Sequence, residues 1–122
     1  MKLVIDVENT VTNRDGKLHL DPFESTNTLV MVGILTDTGE EYQITFDHAD
    51  KEPTENGHKI VQDLLDKAGA IICHNSAYDL MWLWESGFKY DGAVFDTMLA
   101  EYVLQRGIKE PLSLEACAER YE

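Results

Sequence analysis

The apolar residues of this chain change period partway along, and that change limits what it can fold into. Before Pro53 they fall in short blocks. Lys2 to Glu8 reads as a strand, Thr28 to Thr36 as a second strand apolar on both faces, and Glu41 to Asp47 alternates as a third. A polar stretch from Asn9 to Asn27 predicts a loop, and Asp37-Thr38-Gly39 signals a tight turn joining two antiparallel strands. After Pro53 the spacing becomes helical: Ile60, Val61, Leu64 and Leu65 recur on one face, with a stop near Gly69. Ala70 to Cys73 is a short apolar strand, and Ser76 to Glu85 a helix with Ser76 as cap and Gly87 as stop. Ala93 to Phe95 is a brief strand, and Thr97 to Leu104 is helical through Met98, Leu99, Tyr102 and Val103. Ser113 caps a last helix that runs on to Glu122. The order β-β-β-α-β-α-β-α-α predicts an α/β chain with a mixed central sheet and helices on both faces.

At 122 residues there is room for one compact domain, taken as 1–122. The 43% hydrophobic content supplies a core and argues against disorder. Asp6 interrupts the N-terminal apolar run too early for a signal peptide, and Leu29 to Leu35 is far too short to span a bilayer. Cys73 and Cys117 form no metal-binding or redox pair, and Cys73 reads as a small core residue. These features point to a reducing cytoplasm. The net charge of −13, with ten scattered basic residues, argues against strong free-standing nucleic-acid binding, which rests on phosphate contacts. It leaves chemistry at an acidic metal site open.

Two acidic groupings stand out. Asp6 and Glu8 are two apart in a strand, so both leave the same face, opposite Leu3, Ile5 and Val7. Adjacent carboxylates on an apolar strand repel unless a cation lies between them, and Mg²⁺ or Mn²⁺ suits carboxylate oxygen. Acids are common in this chain, so the spacing alone is weak, and a solvated acidic surface accounts for most of them. The second grouping, His74-Asn75-Ser76-Ala77-Tyr78-Asp79, puts Asn75 at a strand's carboxyl end and Asp79 on the first turn of the next helix. Ligands gather at such strand ends. A first-turn acid also opposes the helix dipole with no metal present, Tyr78 could pack, and Asn75 could serve a turn.

Together with Phe95-Asp96-Thr97-Met98-Leu99, the stretches Asp6-Val7-Glu8-Asn9-Thr10 and His74 to Asp79 resemble the 3′→5′ proofreading exonuclease domain of family A DNA polymerases. That group includes bacterial DNA polymerase I and podovirus replicative polymerases, within the DEDD superfamily, and the likeness runs over essentially the whole chain. It implies a ribonuclease H-like fold and hydrolysis of the last phosphodiester at a single-stranded DNA 3′ end. It also implies two divalent cations, Mg²⁺ or Mn²⁺, held by Asp6, Glu8 and Asp79 as metal and catalytic residues, with Asp79 beside the other two. Thr10 and Asn75 would line the pocket for the 3′-terminal nucleotide. Asp96 is read as structural.

One departure accompanies the likeness. The family's third motif, a Tyr or His four residues ahead of a fourth Asp, has no counterpart, because Asp91 and Asp96 are the only aspartates after Asp79. The chain is therefore expected to be the front part of such a domain, C-terminally incomplete and weak or inactive alone, with the remainder of a polymerase as its partner. Two alternatives stay open: a non-catalytic module docking onto a polymerase, and a small nuclease completed by an oligomer partner.

Overall fold

The structure is a computed structural model and describes residues 1–121. Five strands form a mixed sheet in the order β5-β4-β1-β6-β7: β1 is Lys2–Asn9, β4 Leu29–Thr36, β5 Glu41–Thr45, β6 Ala70–Cys73 and β7 Ala93–Asp96. The first, fourth and fifth strands pair antiparallel, while β6 and β7 run parallel to β1. Helices α1 (Gly57–Lys67), α2 (Ser76–Glu85), α3 (Thr97–Leu104) and α4 (Leu114–Tyr121) cover both sides. The result is an α/β ribonuclease H-like fold. The last helix, expected to reach Glu122, is described to Tyr121; Glu122 lies outside the described residues.

Side-chain alternation along β1 separates two faces. Leu3, Ile5 and Val7 are buried, while Val4, Asp6 and Glu8 are exposed. Register carries this division across the sheet. Val32, Ile34, Ile44, Ile71 and Cys73 share the buried side and meet Val61, Leu64 and Leu65 of α1 and Trp82 and Leu83 of α2. Each such aliphatic side chain contributes about 1.5–3 kcal/mol by leaving water. The first turn of α1 presses hard on this core: a Cβ added at Gly57 would come within 2.9 Å of the Ile44 Cγ2 methyl.

The stretch expected to be a plain loop, residues 9–27, contains a two-stranded hairpin instead. β2 (Thr12–Arg14) and β3 (Lys17–His19) pair antiparallel around Asp15-Gly16. Both turn residues have positive φ, 51° and 78°, the conformation a two-residue hairpin turn requires. Elsewhere Gly39 and Gly87 take positive φ at the expected turn and helix stop. Among the described residues no helix is long and apolar enough to cross a membrane.

Candidate active site

Asp6 and Glu8 project from the open face of β1, near the centre of the sheet. Asp6 lies opposite Gly33 of β4, which has no side chain to cover it, and forms part of an open cleft with Val4, Leu35 and Gln43. The register between β1 and β4 shifts at Glu8 and Asn9. Such bulges re-aim side chains at the rim of a sheet.

Asp79 arrives on the first turn of α2, just past the carboxyl end of β6, and is only 4% exposed. Burial pushes its carboxyl up to about 7, and the nearby negative charges of Asp6 and then Asp96 add to the rise. The Val7 main chain and the Cys73 thiol pull the other way without cancelling it. The fold has thus brought Asp79 within electrostatic reach of Asp6, and burial leaves its carboxyl about half protonated near neutral pH. Burial, followed by Asp79 and Asp96, also pushes the Cys73 thiol up to about 12, so Cys73 is an inert core group.

The acids are not gathered into one ligand set. Among the described residues no three His, Cys, Asp or Glu groups stand together as a metal-holding cluster. The side of the sheet explains this. Asp79 is reached by Cys73, a core-face residue, whereas Asp6 and Glu8 leave the opposite face. Asp6 and Glu8, two apart on one face, are the acids placed to share a divalent cation, with Asp79 in electrostatic reach of Asp6.

Around these acids lies a hydrogen-bonded frame that the sequence reading missed. Asp96 ends β7 and accepts from five donors: the Asn75 and Ser76 amides, the Ser76 hydroxyl, and the Met98 and Leu99 amides. It therefore caps α3 and also holds the start of α2. Desolvation alone would raise its pKa, but the bonds from Ser76, Asn75 and Leu99 outweigh it and hold the carboxyl at about 2. The expected cap, Ser76, is instead the first helical residue. Asn75 takes the cap position in a left-handed conformation, φ 70°, with no side-chain cap bond. Asp96 instead satisfies two of the free amides at this helix start, those of Asn75 and Ser76. The Asn75 side chain consequently stays exposed at the strand end.

Thr10 is differently engaged. Its hydroxyl accepts from the Thr28 amide at 2.7 Å, and its own amide donates to the Thr28 carbonyl at 2.9 Å, closing the far end of β1 onto the start of β4. Beside it, the Asn9 amide group and the Trp82 indole both donate to the Leu20 carbonyl at 3.1 Å. The Tyr78 hydroxyl donates to Asn9 Oδ1 and lies 3.2 Å from the same carbonyl. The helix carrying Asp79, the strand carrying Asp6 and Glu8, and the end of the hairpin thus meet at one main-chain oxygen. His74 tethers the other flank, with Nε2 donating to the Leu112 carbonyl at 2.6 Å and Nδ1 paired with the Thr97 hydroxyl at 2.9 Å. Asn9 was legible as part of the Asp6-to-Thr10 stretch, but the Leu20 carbonyl left no signal in the sequence.

Neither a scan against protein-family models nor a search of curated proteins finds a match. Solved structures do match. The chain is similar to Brucella melitensis NrnC, solved with bound Mg²⁺, at 26% identity and a TM-score of 0.63, over 97% of this chain and 52% of that one. It is also similar to a nuclease in its apo form, at 23% identity and a TM-score of 0.60, over 92% of this chain and 47% of that one. The family B DNA polymerase of Pyrobaculum calidifontis matches over 69% of this chain and 10% of its own, at 24% identity. Its TM-score of 0.48 is too low to carry a polymerase attribution. The chain spans about half the length of the two nuclease structures it resembles. The ribonuclease H-like fold is shared with these structures, and nothing in the comparisons singles out the family A polymerase branch.

Proposed function

We propose that this chain is the acidic half of a 3′→5′ exonuclease site, acting on single-stranded DNA ends as part of a proofreading domain of the family A polymerase type. The observation that carries the reading is the buried Asp79 carboxyl at the strand end, raised to about 7 by burial and then by the charge of Asp6. The likeness to NrnC, a protein solved with bound Mg²⁺, supports the use of a divalent cation.

Asp6, Glu8 and Asp79 are the residues that would hold Mg²⁺ or Mn²⁺, two ions in the full reading. When bound, such ions supply an activated water and offset charge on the phosphodiester. The protein's own part is positional. Asp96 fixes the start of α2, and with it Asp79, relative to β6 and β7. Asn75 offers a free side-chain amide at the strand end for the 3′-terminal nucleotide. Thr10 would contribute through the backbone it holds, since its hydroxyl already bonds Thr28. A polymerase that delivers the strand would offset the like-charge barrier raised by the net charge of −13.

The test is release of 3′ nucleotides from labelled single-stranded DNA with Mn²⁺, comparing wild type with Asp6→Ala. Slow turnover is expected, because this chain has three such acids and no Tyr or His four positions ahead of a fourth. A separately supplied segment carrying that motif should raise the rate more than added metal does. Cleavage that survives Asp6→Ala would sink the reading.

A further inference from the structure

Helix α2 carries Asp79 to a stretch of β1 with no strand beside it on one edge. β6 pairs with β1 only from Lys2 to Val4, so the ladder on that side stops there. Two consecutive residues at the start of α2 engage the strand beyond that point. The Asp79 carboxyl bonds to the Val7 main chain, and the Tyr78 hydroxyl donates to Asn9 Oδ1. Val7 and Asn9 alternate with Asp6 and Glu8 along the chain, so the two bonds fasten the helix on either side of Glu8. A bond at Val7 alone would leave a pivot, and the second bond, at Asn9, removes that freedom. The register with β4 shifts between Glu8 and Asn9. The regular ladder therefore does not fix the direction of Asn9, and its own side-chain bonds do.

The Asn9 amide is fully used. Nδ2 donates to the Thr10 carbonyl at 2.7 Å and to the Leu20 carbonyl at 3.1 Å, while Oδ1 accepts from Tyr78. With both N–H groups on carbonyls, the amide cannot turn over without setting oxygen against oxygen. The position thus asks one short side chain for two donors and an acceptor. Asp offers no donor, Leu offers neither, and Gln carries its amide one carbon too far. The attachment of the hairpin does not depend on Asn9 alone, because the Trp82 indole donates to the same Leu20 carbonyl at 3.1 Å. What Asn9 alone provides is the link to Tyr78. Asn9 follows Glu8 and Tyr78 precedes Asp79, so one hydrogen bond joins the immediate neighbours of two of the three acids.

We infer that Asn9 is a positioning residue for the acidic site: through Tyr78 it sets Asp79 against Asp6 and Glu8, and so governs how well the three hold a divalent cation. The inference rests on the nuclease reading. Groups that orient metal-binding side chains without touching the ion typically change its affinity by about 10–100-fold when removed.

The test titrates Mn²⁺ alone into the whole chain and follows the free ion by electron paramagnetic resonance. Asp6→Ala, Asn9→Leu, Tyr78→Phe, the Asn9→Leu/Tyr78→Phe double variant and Trp82→Phe are compared with wild type. Asn9→Leu and Tyr78→Phe should each weaken binding by about tenfold or more. The double variant should bind no more weakly than Asn9→Leu, since both changes break one link. Trp82→Phe loses a bond to the Leu20 carbonyl but keeps the link, and its affinity should stay near that of wild type. Both link variants should fold, because β1 stays paired with β4 and Trp82 still ties α2 to Leu20; near-ultraviolet circular dichroism checks this. Tyr78→Phe deletes a single oxygen and carries the test by itself if Asn9→Leu does not fold. Binding weakened in Asp6→Ala but unchanged in the link variants overturns the inference alone. Equal weakening by Trp82→Phe also overturns it, by reducing Asn9 to general packing. Binding that survives Asp6→Ala takes down the nuclease reading and this inference with it.

Discussion

Replacing Asp79 with Asn should stabilise the metal-free protein, and by an amount that grows with pH. In the folded chain the Asp79 carboxyl titrates at about 7 instead of its ordinary 3.8. Because the folded value is raised, the folded state holds a proton that the unfolded chain has given up. The associated stability is complete below about pH 4 and is lost as pH climbs toward 7. At about pH 5 the wild type has lost roughly 2 kcal/mol by this route, and by about pH 8 roughly 4 kcal/mol. Asn has nearly the same shape and no charge to bury, so its advantage over Asp should widen by about 2–3 kcal/mol between those two pH values. Urea unfolding in EDTA at both pH values, on wild type and Asp79→Asn, measures that widening directly. Adding Mn²⁺ should reverse the order at the higher pH, because a cation restores the value of the carboxylate. A constant difference between the proteins across pH would refute the reasoning, since it would mean that Asp79 ionises freely in the fold.

Asp6→Asn removes the larger of the two charges acting on Asp79 and should lower its titration midpoint, read from the carboxyl ¹³C shift by NMR; an unmoved midpoint would separate the two acids. Asp96→Ala leaves five donors without their acceptor and should cost about 2–4 kcal/mol by urea unfolding. The Asp96 carboxyl is held at about 2, so that loss should shrink as pH falls from about 4 toward 2. Trp82→Phe keeps the ring in the core but deletes its bond to the Leu20 carbonyl, costing about 1 kcal/mol. Its distinguishing sign is faster hydrogen exchange across residues 20–28, which a purely local packing defect in α2 would not produce.

The helices α2 and α3 were legible to the residue, because Ser76–Glu85 and Thr97–Leu104 are each bounded by strong punctuation. The β2–β3 hairpin was missed although Asp15-Gly16 is a recognised turn pair. Its strands are three residues long and polar, so no alternation announced them. At the site, alternation along β1 was enough to place Asp6 and Glu8 on one face opposite Leu3, Ile5 and Val7. The charge state of Asp79 was out of reach, since it depends on how deeply α2 settles against β1 and β6. The work of Asp96 was hidden for the same reason: its donors come from two helices some twenty residues apart, and only the folded chain brings them to one carboxylate. The outward apolar side of α3, with Leu99, Tyr102 and Val103 exposed, was hidden too, because its spacing fits a buried stripe equally well until Arg120 and Tyr121 are seen holding Glu101 inside.

The meeting of Asn9, Tyr78 and Trp82 at the Leu20 carbonyl has an evolutionary side. A main-chain oxygen has no codon, so no substitution at Leu20 short of rearranging the backbone can take the acceptor away. Only the donors are exposed to mutation, and they lie on separate elements. Any one can drift while the others keep the hairpin's end, the helix and the acid-bearing strand in place. The hairpin from 12 to 19 can therefore vary in sequence and length while its point of attachment stays fixed. Diversity among proteins built this way should accumulate in the hairpin and not at its anchor.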